Sequence, residues 1–309
     1  MCPVDLTTLI AGMTLRNPVL TSSGTYGFGE EYAAYCPVEA LGGITLKGLT
    51  PLPRLGNPVP RLAETPAGLL NAVGLENPGL EEFLKSYLPK VRKLPTAAIA
   101  NISGFSLEDY VEMARALQRD SGLAALEVNI SCPNVKHGGM HFGTDPKSAE
   151  EVIAAVKAAT NLPIIAKLSP NVTDIVGMAQ AVKSGGADAV SLINTLLGMR
   201  IDIDQQRPVL ANTFGGLSGP AILPVAVRMV WQVSQAIDLP IIGMGGITTW
   251  QDAVEFLLAG ATAVSVGTGN FVNPQAPLEI IQGIENYCEK KGLASVRELV
   301  GLAHKGIVM

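Results

Sequence analysis

Aromatic residues are scarce in this chain, at 5% of 309 residues, and its four cysteines are few and scattered. Cys2, Cys36, Cys132 and Cys288 form no CxxC pair. That spacing argues against a disulfide framework, a zinc site or an iron–sulfur cluster within the chain, and no metal is expected. Basic runs are also missing: 22 basic against 27 acidic residues give a net charge of −5, so nucleic acid is not an expected partner. No segment approaches the roughly 18 to 20 apolar residues of a membrane span, so no membrane is expected either. Met1 to Leu20 alternates polar and apolar residues and lacks the hydrophobic region of a signal peptide. Neither a P-loop nor a GxGxxG fingerprint occurs, which favours a bound mononucleotide over a dinucleotide held by this chain. A reducing cytoplasm is the natural setting for such a composition.

What is present is a well-buried core composition, 48% hydrophobic and 16% charged, with 33 glycines to make tight turns. Short β-branched runs predict strands near Val19–Ser22, Gly43–Lys47, Ala97–Ile102, Ala125–Ile130, Ile164–Leu168, Ala189–Ile193, Ile241–Met244 and Ala263–Val266. Helical patterns lie between them. Ser106 with Asp109 reads as a capping box opening a helix through Leu117, with Gly122 beyond its end. Asp145-Pro146 supplies a cap and an N1 proline ahead of the stripe Val152, Ile153, Val156, Ala159. A third helix is expected from Thr173 to Gly185-Gly186. The chain also echoes itself. Leu162-Pro163-Ile164-Ile165 is followed 24 residues on by Gly186-Ala187-Asp188-Ala189, and Leu239-Pro240-Ile241-Ile242 is followed 21 residues on by Gly260-Ala261-Thr262-Ala263. A repeated strand–helix–strand unit with eight strands favours an α/β fold, a closed (β/α)8 TIM barrel forming one domain over residues 1–309. A doubly wound open sheet is the alternative. Two long stretches, Pro51–Asn77 and Thr195–Pro220, read as irregular loops of the kind that wall or cover a site.

In a barrel of this type the chemistry gathers at the carboxyl ends of the strands. Taken strand by strand, those ends carry Ser23, Lys47, Asn101, Asn129, Lys167, Asn194-Thr195, Gly245-Gly246 and Gly267-Thr268. A lysine at a strand end is usually solvated and a lone asparagine is usually a turn residue. Two lysines that interrupt apolar strands, however, ask for an anion to offset buried charge. Three asparagines at matching positions suggest amide recognition of a heterocycle. The glycine turns Gly243-Met244-Gly245-Gly246 and Gly267-Thr268-Gly269-Asn270, with Gly216-Leu217-Ser218-Gly219-Pro220, match places where barrels cradle phosphate on backbone N–H groups. Cys36 and Cys288 read as incidental buried thiols. Cys132, at a strand end inside Asn129-Ile130-Ser131-Cys132-Pro133-Asn134, is stiffened by the following proline. It could act as a base, since a free thiol titrates near about 8.5. It could also act as a nucleophile if His137 or His141 served as partner, His304 lying in the tail.

The Asn129–Asn134 string, Asn71-Ala72-Val73-Gly74-Leu75-Glu76-Asn77-Pro78-Gly79 and the strand-end set together resemble class 1 dihydroorotate dehydrogenases, over about Thr21 to Gly269. The continuation Val135-Lys136-His137-Gly138-Gly139 through Phe142-Gly143-Thr144-Asp145-Pro146 resembles the 1B subclass, the catalytic subunit of an NAD-linked enzyme. The resemblance implies one FMN per chain and oxidation of dihydroorotate to orotate in pyrimidine synthesis. Cys132 would remove the C5 proton while hydride passes from C6 to the flavin N5. It implies substrate contacts from Lys47, Asn71, Ala72, Val73, Gly74, Leu75, Asn129, Asn194 and Thr195. It implies flavin contacts from Ser23, Lys47, Gly48, Asn101, Asn129, Lys167 and Ile193, with Gly219, Gly245, Gly246, Gly267 and Thr268 at the ring and phosphate. Lys167 would stabilise negative charge on the reduced ring. Because the chain lacks cluster cysteines and a dinucleotide fingerprint, the resemblance also implies a partner subunit carrying FAD and a [2Fe–2S] cluster. The expected assembly is a homodimer core flanked by two such subunits, a heterotetramer. The alternatives are a fumarate-using 1A homodimer, a dihydropyrimidine dehydrogenase-type flavoprotein, a thiol hydrolase, an aldolase-like barrel with a Schiff-base Lys167, and a non-catalytic flavin- or phosphate-binding barrel.

Overall fold

The structure is a computed structural model that describes residues 3–130 and 143–306. A short hairpin comes first, β1 (Thr8–Ile10) and β2 (Met13–Leu15), paired antiparallel around Ala11 and Gly12, both at positive φ. The strands that follow are β3 (Val19–Thr21), β4 (Gly43–Thr45), β5 (Leu62–Thr65), β6 (Gly68–Asn71), β7 (Ala97–Ile102), β8 (Ala125–Asn129), β9 (Ile164–Lys167) and β10 (Ala189–Leu192). The last six are β11 (Leu196–Gly198), β12 (Ile201–Asp202), β13 (Arg207–Pro208), β14 (Gly215–Ser218), β15 (Ile241–Met244) and β16 (Ala263–Val266). Eight of these, in the order β3-β4-β7-β8-β9-β10-β15-β16, close into a parallel barrel with helices between strands. These are the eight strands expected from the sequence, each within two residues of the expected bounds, and the fold is a (β/α)8 barrel rather than an open sheet.

The helices start where side chains supply what the backbone leaves open. Ser106 accepts from the Asp109 amide, and Asp109 reciprocates, opening helix Leu107–Ala116 with the expected capping box. Asp145 accepts from Ser148 ahead of helix Pro146–Ala159. Such caps are each worth about 1 kcal/mol. The third helix runs Ile175–Ser184 rather than from Thr173, because Asp174 is the residue whose carboxylate accepts from Gly177. The sequence echo also has a local cause. In one copy the Asp188 amide bonds the Ile164 carbonyl and the Asp188 carboxylate accepts from the Ile164 amide, both at 2.8 Å. In the other, Thr262 does the same to Ile241, at 2.8 and 3.3 Å. Each residue fastens the start of its strand to the preceding one.

Side chains alternate across the strands, so residues two apart share a face. The lower inward layer is apolar. Leu20, Ile99, Ala125, Ile165, Ala189, Ile242 and Ala263 pack with Ile10 and Leu15 of the hairpin into one cluster. The hairpin therefore seals the amino end of the barrel. Two residues up five of these strands the inward layer turns polar, with Asn101, Glu127, Lys167, Ser191 and Ser265 all buried, while β15 keeps Met244.

The stretches Pro51–Asn77 and Thr195–Pro220 are not irregular. They pair with each other into a four-stranded antiparallel sheet, β11-β14-β6-β5, with Gly216 opposite Asn71 and Leu217 opposite Leu70. The strands are short and glycine-rich, and their partners lie 145 residues apart, so nothing local announces them. Among the described residues, no helix is long and apolar enough to cross a membrane.

Candidate active site

The carboxyl ends of the barrel strands and the inner side of this antiparallel sheet enclose one cavity of ≈ 990 Å³. From the barrel it is lined by Ser23, Lys47 with Gly48, Asn101, Asn129, Lys167 and the run Ile193-Asn194-Thr195. The turns after β14, β15 and β16 contribute Gly219, Gly245, Gly246, Gly267 and Thr268. From the roof come Asn71, Ala72, Val73, Gly74 and Leu75. All the site residues expected from the sequence that fall among the described residues thus share one cavity. Cys132, with His137 and His141, lies outside the described residues, as does Cys2. Asn129, three positions before Cys132 in the sequence, is the last residue of β8, and Tyr110 donates to its carbonyl at 2.9 Å.

The two lysines differ. Lys47 is half-buried and has no ion-pair partner among the described residues. Burial favours its neutral amine and holds its pKa below the ordinary lysine value, with Glu76 opposing and Arg61 adding to the effect. An anion in the cavity would stabilise the ammonium. Lys167 is already matched: its Nζ lies 3.4 Å from Glu127 Oε2, both side chains almost fully enclosed. The sequence-based expectation that one bound anion accounts for both lysines is therefore corrected, because Glu127 offsets Lys167 from below. Glu127 also accepts from Asn101 Nδ2 at 2.6 Å and from Ser191 Oγ at 2.7 Å. The sequence contained a signal for it. In Ala125-Leu126-Glu127-Val128-Asn129, alternation places Glu127 on the same inward face as Asn129.

The roof segment 71–79 is held in place by residues the sequence reading did not single out for this. Buried Asn77 accepts from the amides of Thr50 and Gly79 at 3.2 and 2.9 Å, and donates to Thr50 Oγ1 and the Leu75 carbonyl at 2.8 and 2.7 Å. Asn57 donates to the Ala72 carbonyl at 2.9 Å. Asn171, also on the cavity wall, donates to the Thr195 carbonyl at 3.0 Å and accepts from the Leu197 amide at 2.9 Å, tying β11 to the loop after β9. At the opposite end of the cavity the glycine turns come within contact of one another. A Cβ on Gly246, at φ +83°, would stand 2.9 Å from the Gly219 carbonyl and from the Leu223 amide, so only glycine lets these turns meet. Thr268 Oγ1 donates to Ser218 Oγ at 2.7 Å, joining the last βα turn to the roof.

One buried acceptor in the cavity wall is left open. Asn101 Oδ1 has no hydrogen-bond partner among the described residues, and a Cβ on Gly48 would stand 2.8 Å from it. Cys36 and Cys288, by contrast, are buried in the apolar core away from the cavity, and burial pushes both thiols up. His304 is engaged with Gln235 and the Ala259 carbonyl and packs edge-on against Trp231.

Comparison with known proteins agrees with this geometry. The sequence profile of the family described as dihydroorotate dehydrogenase matches residues 5–288. A protein of Geotalea uraniireducens (strain Rf4) is 56% identical over 297 residues, covering 96% of this chain and 97% of its own. One from Desulforamulus reducens (strain ATCC BAA-1160 / DSM 100696 / MI-1) is 56% identical over 301 residues, covering 97% and 99%. One from Geobacter sulfurreducens (strain ATCC 51573 / DSM 12127 / PCA) is 56% identical over 297 residues, covering 96% and 97%. All three are named dihydroorotate dehydrogenase B (NAD(+)), catalytic subunit.

Proposed function

The chain belongs to the dihydroorotate dehydrogenase family, and from that premise we propose that it is the catalytic subunit of an NAD-linked enzyme that oxidises dihydroorotate to orotate in pyrimidine biosynthesis. The observation that carries this reading is the cavity itself. Amides, an unmatched lysine and glycine turns from eight strand ends converge on one space roofed by residues 71–75. That combination suits a planar anionic heterocycle lying against a phosphate-bearing cofactor.

The cavity's residues fit FMN. Its volume of ≈ 990 Å³ is at the upper end of the range of about 300–1,000 Å³ for ligand pockets, ample for a flavin and a small ring together. The open Asn101 Oδ1 asks for an N–H donor from a ligand, which a flavin ring supplies. The turns of Gly219, Gly245 and Gly246 meet at the cavity wall, where backbone N–H groups can take a phosphate. When bound, FMN supplies the acceptor for the hydride that leaves C6 of the substrate.

The chain's own residues do the rest. Lys47, lacking a countercharge, binds the substrate carboxylate. Asn71 to Leu75, Asn129, Asn194 and Thr195 fix the ring by hydrogen bonds and shape, which replaces a search in solution by a held geometry. Cys132 takes the C5 proton as general base. Ser23, Gly48, Asn101 and Ile193 line the flavin, and Gly219, Gly245, Gly246, Gly267 and Thr268 hold its phosphate end. Lys167 sets positive charge beside the ring. The roof sheet keeps water from the reacting carbon atoms.

The relatives' shared name speaks of a catalytic subunit, and electrons must leave this chain for NAD. We assign that transfer to a partner subunit bearing FAD and a [2Fe–2S] cluster, on a homodimeric core in the cytoplasm. The test is a visible spectrum of the purified chain, followed by anaerobic dihydroorotate. Flavin bands that bleach on addition are expected. A colourless protein overturns the cofactor, and flavin that dihydroorotate leaves oxidised overturns the substrate. Full NAD reduction by the isolated chain would refute the partner.

A further inference from the structure

Among the described residues, Glu127 is the one acidic side chain in the polar inward layer of the barrel. It sits mid-strand in β8, 1% exposed, below the cavity rather than at its edge. It nevertheless reaches side chains on the three strands β7, β9 and β10. Asn101 Nδ2 donates to Oε2 at 2.6 Å, Lys167 Nζ lies 3.4 Å from the same oxygen, and Ser191 Oγ donates to Oε1 at 2.7 Å. Two of these partners, Asn101 and Lys167, line the cavity.

Two consequences follow from the chemistry of a carboxylate. First, it only accepts hydrogen bonds, so the Asn101 amide must turn its NH2 toward Glu127. That leaves Oδ1, and not Nδ2, facing Gly48 at the cavity, buried and without a partner among the described residues. The rotamer of a cavity-wall amide is thus dictated by a residue beneath it. Second, Glu127 matches the charge of Lys167 where water cannot. The ammonium faces the cavity with a fixed anion behind it, so that the pair presents an oriented dipole instead of a net charge.

We propose that Glu127 is a positioning residue of this site: through Asn101 it fixes which hydrogen bonds the wall offers the flavin, and through Lys167 it limits how strongly the protein favours the reduced cofactor. The inference rests on the FMN reading above. Its sign follows from charge. Reduction adds negative charge to the bound ring, which a nearby cation favours and a nearby anion opposes.

The test is the midpoint potential of the bound flavin, measured by dye equilibration, together with the dissociation constant of FMN from the apoprotein. Glu127→Gln keeps the size of the side chain but removes its charge, so the flavin potential rises. Its Oε1 can still accept from Asn101 and Lys167 while Nε2 donates to Ser191 Oγ, so Asn101 keeps its orientation. Glu127→Leu removes the acceptor and frees Asn101 to turn, so FMN binds about tenfold more weakly, the loss of one hydrogen bond. Ser191→Ala removes a partner of Glu127 while leaving every charge in place, and its potential stays at the wild-type value. The double variant Glu127→Gln/Lys167→Met takes away both ends of the dipole, so its potential lies above that of Lys167→Met alone. It leaves no buried charge unmatched, which makes it the decisive protein if Glu127→Gln does not fold with flavin bound. A wild-type potential in flavin-loaded Glu127→Gln overturns the proposal, as does a double-variant potential no higher than that of Lys167→Met alone. An equal shift in Ser191→Ala would reduce Glu127 to a packing role. Failure of the underlying cofactor reading is separate and is seen in the wild type alone, as absence of flavin.

Discussion

Asn77 touches no cavity surface, yet its removal is expected to weaken the grip on substrate more than it weakens the barrel. The side chain makes four hydrogen bonds, two accepted from the amides of Thr50 and Gly79 and two donated to Thr50 Oγ1 and the Leu75 carbonyl. In Asn77→Ala the hydroxyl of Thr50 keeps its bond to the Leu52 carbonyl at 2.7 Å, so its loss is small. The amides of Thr50 and Gly79 are buried and lose their partner outright, at about 1–2 kcal/mol each, for a total of about 2–4 kcal/mol. That energy is lost where the roof segment folds back beside Leu75, itself held at φ +57°, and not in the strand ladders of the barrel. Dissociation constants for orotate, read from its perturbation of the flavin spectrum, should rise at least tenfold in Asn77→Ala, about 1.4 kcal/mol of the total. Hydrogen exchange at residues 75–79 should quicken while the barrel strands stay protected. An orotate affinity within twofold of wild type, in a folded flavin-loaded protein, would refute the reasoning.

Three more outcomes can be checked. Burial holds the pKa of Lys47 below the ordinary lysine value, so the ammonium is lost at a lower pH than usual and orotate affinity falls as pH rises through that lowered value. The unfolded chain then binds more protons between the two values, and stability rises with pH across that window; Lys47→Met should abolish both dependences and weaken orotate binding at neutral pH, as read by titration and by melts across pH. Gly246→Ala forces a Cβ into contacts of 2.9 Å at φ +83°, a strain of about 1–3 kcal/mol, and the purified protein should come with little flavin and a lower melting temperature. Cys132→Ala should retain FMN and its spectrum but lose turnover severely, and wild-type turnover would exclude the thiol as base.

The barrel was legible because its information is local. Each of the eight strands is a short β-branched run bounded by turn residues, and caps such as Ser106 and Asp145 lie within three residues of the amides they satisfy. The rim was legible because a strand's end can be counted from its sequence, which brought Lys47, Asn101, Asn129 and Lys167 to one mouth. The roof was not, because Gly68–Asn71 and Gly215–Ser218 find each other only in the folded protein and carry no pattern of their own. Glu127 was overlooked for a different reason. A carboxylate inside an apolar strand reads as an exception until the lysine on the neighbouring strand is seen to face the same way.

The pairing of β6 with β14 has a consequence for how the finished protein comes by its cofactor. The cavity's ceiling is stitched from an excursion in the first quarter of the chain and another in its third quarter, and the glycine turns that close its far end come later still. A ribosome-bound chain that has emerged only as far as β10 holds half a ceiling and no phosphate cradle. Flavin uptake is therefore a late event, open only to a chain whose barrel has already closed. Flavin seated as proposed would span the join between early and late segments and work as a clasp. Loss of flavin should accordingly loosen the seam between the two halves of the chain before it disturbs either half.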